Sequence, residues 1–225
     1  MASDPNLFSS KFKELAKLYS DVKGKIILAE QIYDEFPVTL TNEVRNSYDH
    51  VCRIFANGKE DDKDEVEKQF VSASRHLKRA GYDACELIVG GYFVKMNEIM
   101  NRYSFEQLNC VFSSPSYAEI KIQIDRINTT YLVKARNNKN LQLETEDDDE
   151  IDALYLEFAS IIENVQSLWE TVTNHQSLLE QNKKESITKS RYKILLNICV
   201  GAFLLLVGWA IEYFKILERI LGLFS

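Results

Sequence analysis

The feature that most constrains this chain is an apolar segment near its C-terminus. Residues 194–211 read ILLNICVGAFLLLVGWAI, in which Asn197 is the only strongly polar side chain. As an α-helix the segment extends about 27 Å, close to the ~30 Å hydrocarbon core of a bilayer, and Tyr213 and Phe214 continue it into the interface. It therefore predicts a single membrane-spanning helix over residues 194–214. The alternative is a buried core helix, which is also apolar on all sides.

Basic residues are distributed unevenly around this segment, and their distribution predicts its orientation. Those before the segment outnumber those after it: Lys183, Lys184, Lys189, Arg191 and Lys193 precede it, and Lys215 and Arg219 follow it. Because basic loops stay on the cytoplasmic side, we expect a single-pass protein with a cytoplasmic N-terminal domain. Gly201 and Gly208 allow close packing of neighbouring spans, and Asn197 can hydrogen-bond across them, which favours a homo-oligomer in the bilayer. Residues 215–225 predict an amphipathic tail.

The chain before the span is predicted to be all-α. Only 8 Gly and 3 Pro occur in 225 residues, too few for the turns of a sandwich or barrel. Apolar periodicity and helix-terminating residues predict four helices first: from Ser9 or Ser10 to Glu35, from Thr41 to about Phe55, from about Asp64 to Tyr103, and from Pro115 to about Arg136. Gly90 and Gly91 are expected to bend the third helix or to allow close packing. The resulting organisation is a helical bundle over residues 1–138 and an acidic linker over residues 139–150.

A regular apolar repeat then runs through residues 151–179. Its members alternate three and four residues apart: Ile151, Leu154, Phe158, Ile161, Val165, Leu168, Val172, His175 and Leu179. Such a repeat is typical of a coiled coil or a helical bundle, and it predicts a stalk helix over residues 151–193 that joins the domain to the span. At its seam position, His175 is expected to be a packed or register-setting side chain rather than a ligand.

Charge and composition exclude several classes of function. The formal net charge is −7, and an acidic chain without a broad basic face is not expected to bind DNA. No phosphate-binding loop, dinucleotide fingerprint or metal-ligand spacing occurs, so we expect neither a cofactor nor a metal. The cysteines lack CxxC spacing and are expected to be reduced thiols: Cys52, Cys85, Cys110 and Cys199.

Two polar stretches carry the candidate chemistry. Residues 40–53 read LTNEVRNSYDHVCR, in which Arg45, Asn46 and His50 form an Arg-x4-His sequence with an amide after the arginine. Residues 73–86 read ASRHLKRAGYDACE. The candidate side chains of this second stretch are His76, Arg79, Asp83 and Glu86.

The first stretch resembles the motif of the HEPN superfamily, small helical bundles in which two such motifs meet in a dimer and cleave RNA without a metal. The second resembles a helix that packs beside it in many bacterial HEPN-like defence proteins. The resemblance implies that Arg45 stabilises charge on phosphate and that His50 is a general acid or base for attack by the ribose 2′-hydroxyl. A HEPN-like bundle with a membrane helix is also similar to the membrane accessory proteins of type VI-B CRISPR systems. That similarity implies an oligomeric pore in the bacterial inner membrane, with a defence effector complex or RNA as a further partner.

The residues themselves leave the chemistry open. On an ideal helix Arg45 and His50 are about 140° apart, whereas the four polar residues of the second stretch share one face. The alternative to catalysis is that the polar faces pack together as a paired network that fixes helix register. Three hypotheses follow in order of preference: a non-enzymatic membrane effector or accessory of antiviral defence, a membrane-tethered metal-independent endoribonuclease, and a tail-anchored scaffold.

Overall fold

The computed structural model of the chain describes residues 7–33, 37–135 and 148–221. These residues are almost entirely helical, and within them the only β feature is an isolated bridge between Ser113 and Ser116. The helices are α1 (Leu7–Tyr33), α2 (Val38–Ala56), α3 (Lys63–Met100), α4 (Phe105–Val111), α5 (Tyr117–Arg126), α6 (Asp148–Asn174) and α7 (Gln176–Leu221). A π-helical turn over Ile127–Leu132 continues α5. The all-α prediction is confirmed.

Helix α3 lies at the centre of the bundle. Helices α1, α2 and α6 pack against it, and its buried positions include many small residues, among them Ala73, Ala80 and Ala84. Small side chains allow neighbouring helices to approach α3 closely. The N-cap Asp62 accepts a hydrogen bond from the Glu65 amide, which satisfies one of the free N–H groups at the helix start. The predicted range of this helix differs from the observed one by three residues or fewer at either end.

Two glycines of α3 mark where neighbouring helices come closest. A Cβ atom at Gly81 would lie 2.5 Å from the ring of Tyr155 on α6, and a Cβ atom at Gly91 would collide with the Ile32 side chain on α1. The paired glycines at 90 and 91 therefore serve close packing, the second of the two roles expected for them.

The structure departs from the predicted boundaries at α2 and α4. Helix α2 begins at Val38 after the N-cap Pro37 rather than at Thr41, because proline has a suitable fixed φ and no N–H to satisfy at a helix start. Helix α4 was not predicted. It starts with a capping box in which Ser104 and Gln107 bond each other's backbone, and this Ser-x-x-Gln spacing is the signal that could have found it.

The prediction that residues 151–193 form a stalk outside the bundle is wrong for α6. This helix packs against α3, and the repeat residues whose side chains are described within it are buried: Phe158, Ile161, Val165, Leu168 and Val172. Of the two architectures that the repeat indicated, the bundle is the one observed here, because Tyr155 and Ile162 are also buried and widen the seam into a core-facing surface. Residues 139–147 of the predicted linker and Arg136 lie outside the described residues, and 148–150 begin α6.

His175 separates α6 from α7. The residue is not helical, its Nδ1 lies 2.8 Å from the Thr171 carbonyl oxygen, and its ring packs 4.9 Å from that of Phe112. Its predicted role as a packed residue agrees with this position. The break means that the helix entering the predicted span starts at Gln176 and not at residue 151.

We expect Gly91→Ala to lower the free energy of unfolding by about 1–3 kcal/mol, because the added methyl group overpacks the contact with Ile32. Gly24 is the matched control, since a Cβ atom there would have nothing within 4 Å. Gly24→Ala should raise stability by about 0.5–1 kcal/mol through the lower entropy of the unfolded chain. Urea unfolding followed by tryptophan fluorescence measures both. Equal effects of the two substitutions would contradict the assigned role of Gly91.

Candidate functional site

Two histidines meet between α2 and α3 and form the centre of the first candidate site. The rings of His50 and His76 stack with centroids 5.2 Å apart and an interplanar angle of 25°. His50 Nδ1 lies 2.6 Å from Gln69 Oε1, and His76 Nδ1 lies 2.6 Å from Glu43 Oε2. Gln69 in turn donates from Nε2 to Glu65 at 2.8 Å. We call these five side chains the histidine network.

The direction of the hydrogen bonds follows from the acceptors. Because Gln69 uses its NH₂ group on Glu65, its carbonyl oxygen must face His50, and that oxygen only accepts. The carboxylate of Glu43 likewise accepts from His76. Both imidazoles therefore donate from Nδ1, which fixes their orientation. Among the hydrogen bonds described for the chain, none uses either Nε2 atom.

The Arg-x4-His motif is not brought together within the chain. Arg45 is exposed on α2 and Asn46 is half-buried, and among the hydrogen bonds described for the chain neither joins His50. Within one copy, then, the histidine network lacks the arginine that the resemblance to HEPN proteins implies. Arg45 and His50 could act on one phosphate only with a second chain.

The polar face predicted on α3 is divided between two locations. His76 joins the histidine network, whereas Asp83 and Glu86 line an open cleft of about 450 Å³ whose walls include Tyr33 and Asn128. Burial, together with the nearby Glu86 carboxylate, raises the pKa of Tyr33. Arg79 is half-buried on the helix between them.

The partners of the histidines were missed from the sequence, although a signal for them exists. Glu43 lies seven residues before His50, and Gln69 lies seven residues before His76. Residues seven apart share one face of a helix. Two facing helices that each carry a polar residue and a histidine at this spacing could have been paired.

Helix α7 carries the second candidate site, and its first two turns are fixed to the bundle. Leu179 is fully buried, and Glu180 accepts a hydrogen bond of 2.7 Å from the Tyr103 hydroxyl. Lys183 donates to the carbonyl oxygen of Arg102 at 3.0 Å, and its ammonium lies 5.3 Å from the Tyr103 ring centroid. We call these contacts the α7 root.

Beyond the root, α7 leaves the bundle. Every side chain from residue 184 to 209 is exposed, including Leu205 at 77% and Phe203 at 64%. In the part of the chain that the structure describes, one helical region is long and apolar enough to cross a membrane; the mean hydropathy of its 18-residue window is 2.0 and none of that window is buried. Residues 194–209 of the predicted span are therefore not covered by the bundle.

The residues predicted to pack between spans share one side of α7. At 100° per residue, Asn197, Gly201 and Gly208 fall within an arc of about 40°. A Cβ atom at either glycine would have nothing within 4 Å, so this side is open to another helix. For residues 215–221 of the predicted tail the helix continues, and residues 222–225 lie outside the described residues.

The described residues contain no group of three or more His, Cys, Asp or Glu side chains that could hold a metal ion. Comparison of the chain with models of known protein families, with curated proteins and with solved structures found no match. The resemblance to the HEPN superfamily therefore stays a prediction that rests on residues 40–53 and 73–86 and on the predicted membrane helix.

We expect His50→Ala to lower the free energy of unfolding by about 1–3 kcal/mol, because it leaves the buried amide of Gln69 without its partner and removes the ring stack. Arg45→Ala is the control on the same helix and should change stability by less than about 0.5 kcal/mol, since Arg45 is exposed. Urea unfolding of the full-length protein in detergent micelles measures both. A neutral His50→Ala would show that the network does not stabilise the packing of α2 on α3.

The α7 root should weaken at alkaline pH. Burial and the hydrogen bond to Glu180 raise the pKa of Tyr103 to about 12, above its ordinary value near 10. A folded-state pKa above the unfolded one gives stability that is complete below pH ~10 and is lost as pH rises towards 12. The stability difference between wild type and Tyr103→Phe should therefore shrink over this interval. A difference independent of pH would contradict the assigned hydrogen bond, and subtraction of the two proteins cancels the other tyrosines.

Proposed function

We propose that this protein is a membrane-anchored, non-enzymatic effector or accessory of bacterial antiviral defence. In this proposal the helical bundle lies on the cytoplasmic side of the inner membrane, and α7 crosses the bilayer once. Copies of the chain assemble, gather their spans and perturb or permeabilise the membrane. The observation that carries the proposal is the uncovered apolar segment of α7 on a helix whose root is fixed to the bundle.

The cost of leaving this segment in water supports a membrane location. Full burial of one large apolar side chain is worth about 1.5–3 kcal/mol, and the segment presents a series of them: Ile194, Leu195, Leu196, Ile198, Phe203, Leu204, Leu205 and Leu206. Soluble monomers rarely expose contiguous apolar patches of this kind. A bilayer covers all sides of such a helix at once.

The positions of the aromatic residues support a transmembrane arrangement rather than a helix covered by protein. Tyr192 precedes the apolar segment, and Trp209 and Tyr213 stack at its other end with ring centroids 5.7 Å apart. The rise between residues 192 and 213 is about 32 Å, close to the hydrocarbon thickness. Tyrosine and tryptophan favour both membrane–water interfaces.

The geometry of the histidine network supports the non-enzymatic form of the proposal. Both Nδ1 atoms are held by neighbouring side chains, and Arg45 points elsewhere on α2. Such an arrangement suits a network that fixes helix register. The link to antiviral defence rests on the resemblance of residues 45–50 to the HEPN motif and on the combination of a helical bundle with a span.

We expect Leu205→Arg to release the protein from the membrane, because a charge near the centre of a span costs about 2.5–3.5 kcal/mol in insertion. Ile122→Arg is the matched control, since Ile122 is 68% exposed on the bundle and its substitution should leave the protein in the membrane. The measurement is the fraction that remains in the pellet after alkaline extraction. Wild type found in the supernatant would contradict the anchor.

The effector function is tested in cells that express correctly assembled protein. Arg45→Ala and His50→Ala should leave membrane depolarisation and protection against phage unchanged, whereas Leu205→Arg should abolish both. The mechanism predicts this difference because the span and not the imidazole acts on the membrane. Loss of depolarisation in Arg45→Ala at normal protein levels would contradict it.

A membrane-tethered ribonuclease is the second candidate, and the adjacent imidazoles of His50 and His76 favour it. Two neighbouring imidazoles can act as general base and general acid in metal-independent RNA cleavage. Incubation of a verified dimer with labelled RNA in the presence of a chelator tests the idea. Cleavage that is lost in both Arg45→Ala and His50→Ala would favour this candidate, and an inactive dimer would reject it.

A strictly monomeric full-length protein in detergent would instead favour the third hypothesis, a tail-anchored scaffold.

A further inference from the structure

A group of basic side chains lies on α7 between the bundle and the apolar segment. Lys189, Arg191 and Lys193 are exposed, and we call them the basic collar. No acidic residue occurs between positions 186 and 193. Among the ion pairs described for the chain, none involves a collar residue. Three cations therefore lie within five residues, about one and a half helical turns, next to the apolar segment.

The collar has the depth of a headgroup layer. With 1.5 Å per residue, Lys193, Arg191 and Lys189 lie about 1.5, 4.5 and 7.5 Å along the axis from Ile194. The polar layer on each side of a bilayer is roughly 5–7.5 Å thick, which is half of the difference between the full and the hydrocarbon thickness. The three side chains thus lie at the level of lipid phosphates. Lys184, about 15 Å from Ile194 by the same rise, lies beyond that layer.

The collar surrounds the helix instead of marking one face. At 100° per residue, Lys189 and Lys193 are about 40° apart, and Arg191 is about 160° from either. A protein helix or an RNA strand would contact one side of α7 and leave the opposite cation unmatched. A planar layer of anionic headgroups meets all three side chains together.

We propose that the basic collar binds the phosphate groups of anionic phospholipids in the cytoplasmic leaflet. This inference rests on the proposed membrane location and names the lipid class that the chain recognises there. Lysine and arginine each supply N–H donors to phosphate oxygens, and arginine can do so with two parallel hydrogen bonds. The α7 root then holds the bundle close to the bilayer, because Lys183 lies only about 16.5 Å along the helix from Ile194.

The test uses full-length protein in neutral detergent micelles, titrated with phosphatidylglycerol or with phosphatidylcholine. Bound lipid is counted by native mass spectrometry. Each basic residue near an anionic surface strengthens binding about fivefold. The variant K189Q/R191Q/K193Q should therefore bind phosphatidylglycerol at least about tenfold more weakly than wild type, at the level of phosphatidylcholine.

Two control variants separate the collar from net charge. K13Q/K17Q/K23Q removes the same charge from exposed positions of α1 and should bind phosphatidylglycerol as wild type does. K184Q removes a cation beyond the headgroup layer and should change binding less than about twofold, since electrostatic attraction falls off with distance from the surface. Equal phosphatidylglycerol binding by wild type and the collar variant would overturn the proposal, as would an equal loss in the α1 control.

Competition and extraction distinguish the remaining outcomes. Inorganic phosphate and a single-stranded RNA oligonucleotide should not displace phosphatidylglycerol; displacement by either, with RNA or phosphate binding lost in the collar variant, would overturn the lipid assignment. Alkaline extraction of the same proteins from membranes tests the anchor separately. If wild type stays in the membrane pellet but shows no preference for phosphatidylglycerol, the lipid-binding role of the collar is overturned and the membrane anchor is not. If wild type appears in the supernatant, both proposals are overturned.

Discussion

The packing of three helices around α3 is the constraint on which the rest of the structure depends. Gly81 and Gly91 allow α6 and α1 to pack closely against α3. The hydroxyl of the fully buried Tyr82 donates a hydrogen bond of 3.0 Å to the carbonyl oxygen of Ala135. Burial also raises the pKa of the Cys85 thiol to about 12, so this cysteine stays protonated at neutral pH. The position of α6 on α3 in turn determines where His175 lies and where α7 begins.

The α7 root connects this packing to the proposed membrane function. Arg102 and Tyr103 follow shortly after α3, and they bond to Lys183 and Glu180. The contacts that order the bundle therefore also orient the helix that leaves it. A flexible tether would allow the same anchor to hold the bundle at any angle, whereas the continuous helix from Gln176 to Leu221 fixes one.

Much of the fold was predictable from the sequence because it depends on local patterns. The apolar segment, the scarcity of glycine and proline, and the long run of α3 are properties of neighbouring residues. The packing partner of α6 was not predictable in the same way. A repeat with a spacing of three and four residues indicates that one side of a helix is apolar, but it does not indicate what that side packs against. Here it packs against α3, about 70 residues earlier in the chain. The stalk interpretation failed at this step.

The candidate site was also predictable only where it depends on local sequence patterns. His50 and His76 were selected from the sequence, and the structure stacks them, but their partners Glu43 and Gln69 come from the pairing of α2 with α3. Arg45 was selected with His50 because the two are close in sequence, and helical geometry separates them by about 140°. Residues seven apart, and not five apart, face the same neighbour.

The uninterrupted course of α7 has a mechanical consequence. From Lys184 to Leu221 the helix is a rod of about 55 Å whose near end is clamped by the bundle. A rotation of the bundle by about 5° would move the far end of an unbent rod of this length by roughly 5 Å, half the diameter of a helix. In the proposed membrane arrangement, a small rotation of the bundle would thus become a larger lateral displacement at the far end of α7, without any change inside the helix itself.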